Sequence, residues 1–275
     1  MAAPRHITRF VSRDGSTVVM LPMDRAETES TQELRTALAP GLGMDYAVDQ
    51  LGAMPAPKGV GNERLRAVLY GATGAAVDTQ ADALRSQIQS IGQGRLWSEG
   101  GDGTERWARA RAERMPDLTV SYESMFTQPV SVEFLRLSDW FAETPTVVTQ
   151  TLAGSPATVN VTNDGDADAR EIVIEIAALG ASGFVNPSIT NVLTGETFTI
   201  ARTAGSSAHR LRIDCGNYAV TRSTDSGSSW ANEYVNLTVG STQVGFMRLI
   251  PGSQSLTVTG CTNATITVTF SATWH

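Results

Sequence analysis

The chain has 275 residues, of which 41% are hydrophobic and 18% charged, and a formal net charge of −7. That is room for two ordinary domains or one large β domain, with enough apolar residues for real cores. The charge divides into about −4 before residue 149 and −3 after it, so neither half is basic, which argues against stable binding to duplex nucleic acid through its phosphates.

No apolar run approaches the length of a membrane span. The first residues, Met-Ala-Ala-Pro-Arg-His, lack the basic start, apolar stretch and cleavage site of a signal peptide, so the protein is expected to be made soluble in a cytoplasm. The two cysteines, Cys215 and Cys261, are read as buried thiols, with a disulfide as the alternative.

Residues 6–11 and 17–21 are short apolar segments around Arg13-Asp14-Gly15-Ser16, and Asp-Gly between such segments predicts a hairpin. Residues 24–38 are polar and helix-compatible. Residues 41–61, with Pro55 and Pro57, read as a loop or extended arm. Residues 64–70 alternate as a strand does. The clearest helix follows near 78–91: Ala81, Leu84, Ile88 and Ile91 recur at helical spacing, Asp78 is placed to cap it, and Gly92 or Gly94 to stop it.

Arg95-Leu-Trp97 then opens a strand, Gly100-Gly-Asp-Gly103 turns it, and residues 106–114 run back, with Ala108, Ala110 and Ala112 opposite Trp107, Arg109, Arg111 and Glu113. Acidic residues interleave with these arginines and stacking aromatics are few. The face is therefore expected to be solvated or subunit-facing, in preference to a phosphate groove. Residues 118–121 and 130–137 are further strand candidates. Composition changes at about 144–150, which predicts domains 1–146 and 147–275.

Beyond that boundary, strand patterns recur about every ten residues: 147–152, 157–161, 171–176, 188–191, 197–200, 210–214, 219–222 and 235–239. A closing set follows: a strand from Phe246 to the Pro251-Gly252 turn, then 255–260 and 265–274. In the last, Ile266, Val268, Phe270 and Ala272 point one way, and Thr265, Thr267, Thr269, Ser271 and Thr273 the other. Turns such as Asn163-Asp-Gly165 and Leu193-Thr-Gly195 separate them. The fold class is mainly β with one or two helices, ending in an antiparallel sandwich.

The sequence holds no Gly-x-Ser-x-Gly, no His-Glu-x-x-His and no phosphate-binding Gly-x-x-x-x-Gly-Lys-Ser/Thr motif, so no catalytic residue, metal ligand or cofactor is assigned. His6, His209 and His275 are scattered. Asp164, Asp166 and Asp168 alternate, but the central Gly and downstream Glu of a calcium loop are missing, so they read as a turn. One aromatic residue stands apart. Trp230 lies in the polar stretch Ser226-Gly-Ser-Ser-Trp-Ala-Asn-Glu233. It either closes the sandwich core or contacts a glycan or a partner protein.

The order of these motifs resembles a family, the distal tail proteins of long-tailed, siphovirus-type bacteriophages. The residues that carry the resemblance are Asn163-Asp-Gly165 after a strand, Ile172-Val-Ile-Glu-Ile176, Pro187-Ser-Ile-Thr-Asn191, Leu193-Thr-Gly195, Leu211-Arg-Ile-Asp214, Leu249-Ile-Pro-Gly252 and Ile266-Thr-Val-Thr-Phe270…Trp274. In the first half they are helix 78–91, the hairpin after Trp97 and Val132-Glu-Phe-Leu-Arg-Leu-Ser-Asp-Trp140. Ala169-Arg170 stands where the family usually has a proline, and 24–61 is unmatched.

The resemblance implies a ring-forming (belt) β domain followed by a galectin-like sandwich. It implies a structural, non-enzymatic virion protein at the tail tip, made in the host bacterial cytoplasm. Its partners would be other copies of itself in a homohexameric ring, the tail tube protein and the hub or tail-associated protein. Side fibres or receptor-binding proteins would attach to its outer domains, and DNA would pass through the lumen without membrane insertion. The alternative is a carbohydrate-binding, lectin-like module for host-surface glycans.

Overall fold

The computed structural model describes residues 5–21, 27–34, 38–40, 47–49, 58–114, 127–240 and 246–274. It is mainly β, with one α-helix and antiparallel sheets. Two compact units divide the chain, one ending at Phe141 and the other running Ala142–Trp274. Among the described residues no helix is long and apolar enough to cross a membrane.

In the first unit one sheet runs in the order Val18–Met20, Arg5–Ser12, Gln93–Gly100, Glu105–Arg114, Thr127–Arg136, Lys58–Tyr70, Glu27–Leu34. The expected hairpin at Asp14-Gly15 joins its first two strands. Asp14 accepts from the Ser12 and Ser16 hydroxyls and the Ser16 amide, and these donors hold its carboxyl down at about 2. Gly15 takes a φ of 77°, which the turn needs and glycine adopts without strain.

Ile7 and Phe10 both face the core although they are three residues apart. A bulge between Ile7 and Arg9 in the pairing with Gln93–Gly100 resets the alternation. The sheet curls strongly: Phe10 and Phe134 lie on strands separated by two others, yet their ring centroids are 5.1 Å apart. The helix Gly74–Ile91 lies against this sheet through Val77, Ala81, Leu84 and Ile88.

Two expectations for this unit are corrected. The helix starts four residues before Asp78, and Thr73 caps it, its hydroxyl accepting from the Ala76 amide at 3.2 Å. In the first turn, Gly74-Ala-Ala-Val77, the apolar residues are consecutive, so they show no helical period. Gly92 ends the helix at φ 63°. Residues 27–34 form a strand and not a helix. They pair along the outer edge of Lys58–Tyr70, and edge pairing overrides a weak local preference. The strand candidate at 118–121 and most of the 41–61 loop lie outside the described residues. Leu38–Pro40 and Ala47–Asp49 pair with each other as two short strands.

In the second unit two sheets face each other. One has six strands in the order Thr146–Leu152, Ala264–Phe270, Val173–Ala178, Arg210–Asp214, Ala219–Ser223, Ala231–Asn232. The other has five: Ala157–Asn163, Gly252–Cys261, Phe184–Asn191, Thr197–Ile200, Leu237–Val239. Alternate residues of most strands point between them, among them Val159, Ile174, Phe198, Ile213, Leu256 and Ile266, all buried. Each such side chain contributes about 1.5–3 kcal/mol on burial.

The closing set departs from the sequence reading at both ends. Residues 246–250 are not a ladder strand. Leu249 exchanges two backbone bonds with Ala169, 2.8 and 2.9 Å, and the strand begins only after Pro251, at Gly252 with φ 95°. At the other end Ala264–Phe270 keeps the predicted alternation, but Thr273 is buried instead of outward. The strand breaks at Ser271-Ala272, and the short segment Thr273–Trp274 starts a new phase.

Candidate functional site

The outer face of the six-stranded sheet carries a group of polar side chains with an aromatic beside them. Strand alternation puts Glu175 outward between Ile174 and Ile176, and Arg210, Arg212 and Asp214 outward around Leu211 and Ile213. Register places Glu175 opposite Arg212. The Glu175 carboxylate accepts from Arg210 Nη1 at 2.9 Å and from Arg212 Nη2 at 3.0 Å.

The loop after Ala219–Ser223 brings Trp230 to the same place. Asp225 organises it, accepting from the Ser223 hydroxyl at 2.6 Å and the Ser229 amide at 2.9 Å. These donors hold the Asp225 carboxyl far below the usual carboxylate range. Gly227 follows with φ 93°, and its amide donates to the Ser223 hydroxyl at 2.8 Å. The result is a Trp230 ring outside the core, half-buried, with the Arg212 guanidinium 4.0 Å from its centroid. This is a cation–π contact.

Trp230 is the residue the sequence singled out; Glu175, Arg210 and Arg212 are not. Their signal is in the strands themselves, where charged residues recur at every second position of an apolar alternation. Which of them meet across strands depends on register, which no local pattern states.

The other candidates are placed elsewhere. Asp168 accepts from Arg248 at 2.8 Å. Among the described residues no three His, Cys, Asp or Glu side chains are grouped to hold a metal. His209 accepts from the Gly205 amide through Nδ1 at 3.0 Å. In the first unit, Ala108 and Ala110 are buried while Arg109 and Arg111 are exposed on the same strand as Trp107. The Trp107 ring lies 4.7 Å from Phe141 and 4.9 Å from the Arg95 guanidinium.

Cys215 and Cys261 are free, buried thiols, so the disulfide alternative falls. Burial pushes Cys261 up to about 12. Burial, helped by Asp214 and Glu196, pushes Cys215 well above the thiol range. A thiol reagent at pH 8 should therefore label neither until the sandwich unfolds, as a timed labelling assay in urea will show. The sign for stability follows. The folded thiols keep their protons where unfolded ones ionise, so stability should fall above the usual thiol range, by about 1.4 kcal/mol per pH unit per thiol.

No family model matches the chain, and no curated protein matches it. Solved structures do. The Dit protein of phage SPP1, described as a paradigm of the hub adsorption apparatus in phages infecting Gram-positive hosts, matches with a TM-score of 0.57 at 12% identity, over 97% of this chain and 98% of that one. Chains of the phage p2 baseplate in its activated conformation with Sr or Ca match over the same shares at 10% identity, with TM-scores of 0.46 and 0.47. From near one end to the other, this chain has the fold of the SPP1 Dit protein.

Proposed function

We propose that the chain is a structural subunit of a phage tail tip. Six copies close into a ring that joins the tail tube protein to the hub or tail-associated protein, with a lumen through which DNA passes. The sandwich units attach side fibres or receptor-binding proteins, and the protein works in the virion after synthesis in the host bacterial cytoplasm. The observation that carries this is the end-to-end fold likeness to SPP1 Dit, which spans both units.

The sheet of the first unit supports it, because it ends in two edge strands. On one of them Val18 and Met20 are 52% and 64% exposed. An edge carrying apolar side chains is a liability in a monomer and an asset in a closed ring. Light scattering on the eluting protein should give a large oligomer, and negative-stain images a ring with a central channel. Val18→Glu combined with Met20→Glu should release monomers with an unchanged circular dichroism spectrum. A wild-type chain that stays monomeric and ignores purified tail tubes would sink the proposal.

A second reading, carbohydrate binding by the sandwich, is favoured by the Trp230 ring stacked with Arg212 on an open sheet face.

A further inference from the structure

Hydroxyls pair across strands on both outward faces of the sandwich, Thr149 with Thr267 at 3.2 Å on the six-stranded sheet, but that sheet adds the outward charged group Glu175, Arg210, Arg212 and Asp214. On the five-stranded sheet the hydroxyls bond to one another: Thr190 with Thr197 and Ser188 with Thr199, both at 2.9 Å, and Thr162 with Ser253 at 3.1 Å. On the six-stranded sheet the register aligns Thr149, Thr267, Glu175, Arg212, Thr221 and Asn232 in one row across every strand. Beside this row lies a depression of about 420 Å³, lined by Val173, Glu175, Arg212, Asp214, Thr267 and Thr269. That volume suits a small ligand or one unit of a chain.

The chemistry of this face narrows the ligand. Glu175 is fixed by two arginines through three bonds, and a carboxylate offers about four lone-pair sites, so it still accepts. Arg212 is held by that carboxylate with the Trp230 ring 4.0 Å from its guanidinium, which restricts its remaining donors. Thr267 and Thr269 both donate and accept. The formal charges of Glu175, Asp214, Arg210 and Arg212 cancel, so the face exerts no net pull on a polyanion or a polycation. Fixed, mixed, charge-balanced donors and acceptors beside an aromatic ring match a ligand whose polar atoms are hydroxyls and whose other face is C–H.

We propose that this sheet face binds a neutral saccharide longer than one unit, with Glu175 and Arg212 holding hydroxyls of the unit in the depression and Trp230, which lies against Arg212 outside that depression, taking the apolar face of a neighbouring unit. The proposal rests on the carbohydrate reading of the sandwich and gives it a place and a ligand class.

Native gel electrophoresis of the full-length chain tests it, in gels cast with dextran, galactan, arabinogalactan or β-glucan, and in a gel with heparin. At least one neutral polysaccharide should slow the protein threefold or more, and heparin should not. Arg212→Ala and Trp230→Ala should migrate as they do without polysaccharide. Glu175→Gln, which keeps the side-chain shape, should lose most of the retardation, and melting curves show that each variant is folded. Retardation that survives all three substitutions keeps carbohydrate binding but overturns this site. Retardation by heparin alone overturns the neutral class. No retardation in any gel overturns the carbohydrate reading itself.

Discussion

Replacing Arg136 by alanine should cost the first unit about 3–5 kcal/mol, read as a fall in its urea midpoint. Arg136 and Glu63 are each 1% exposed, at the heart of the curled sheet. Arg136 Nε lies 3.2 Å from the Glu63 carboxylate, Nη1 donates to the Ser138 carbonyl at 3.1 Å, and the guanidinium lies 5.6 Å from the Trp140 ring. Alanine removes the cation and leaves a carboxylate out of water without its counter-charge. That is the expensive half of a buried pair, because the pair itself returns little more than its desolvation cost. Arg136→Met with Glu63→Leu should therefore recover at least half of the loss. If the single change costs under about 1 kcal/mol, the pair is in contact with water and the argument fails.

Neither residue announces this role in the sequence. Arg136 ends Val132-Glu-Phe-Leu-Arg, where a charge at a strand end ordinarily reads as solvated. Patterns were legible where one face of an element is buried and local. The helix over Ala81, Leu84 and Ile88 is visible from its period, and Ala264–Phe270 from its alternation. Local sequence is silent where a partner strand makes the decision. Glu27–Leu34 is a strand because Lys58–Tyr70 offers it an edge. Ile7 and Phe10 share a side because of a bulge. Residues 246–250 carry strand-like apolar residues, yet Met247 and Leu249 are buried while the chain crosses without joining a ladder. The candidate site divides in the same way. Trp230 stands out as an aromatic in a polar loop, whereas Arg212 and Glu175 become its neighbours only through cross-strand register.

The turn Asn163-Asp-Gly165 is the other place where one substitution should have a large effect, and here sequence and packing agree. The buried Asn163 amide donates to the Ala167 carbonyl at 2.8 Å and the Leu249 carbonyl at 3.0 Å, while its oxygen accepts from the Gly165 amide at 3.1 Å. It thus ties the end of Ala157–Asn163 to the segment that precedes Gly252–Cys261. Gly165 lies flat against Thr273: a Cβ there would sit 1.9 Å from the Thr273 carbonyl oxygen and 2.6 Å from its nitrogen. That carbonyl cannot swing away without breaking its bond from the Ala167 amide, 3.0 Å. Gly165→Ala should therefore cost about 3 kcal/mol through a backbone clash, and Asn163→Ala about 2–3 kcal/mol, because the Ala167 carbonyl and the Gly165 amide lose their side-chain partner while the Leu249 carbonyl keeps only its bond from the Ala169 amide. Asn163→Asp separates hydrogen bonding from shape. At neutral pH it turns carboxylate lone pairs toward two carbonyl oxygens, so it should be at least as damaging as alanine. Its folded-state carboxyl must then have a raised pKa, and the stability it retains is present at low pH and lost as pH rises through that value. Thermal melts of the aspartate variant should accordingly improve on acidification relative to the alanine variant, and melts that move in parallel would show that Asn163 acts through shape alone.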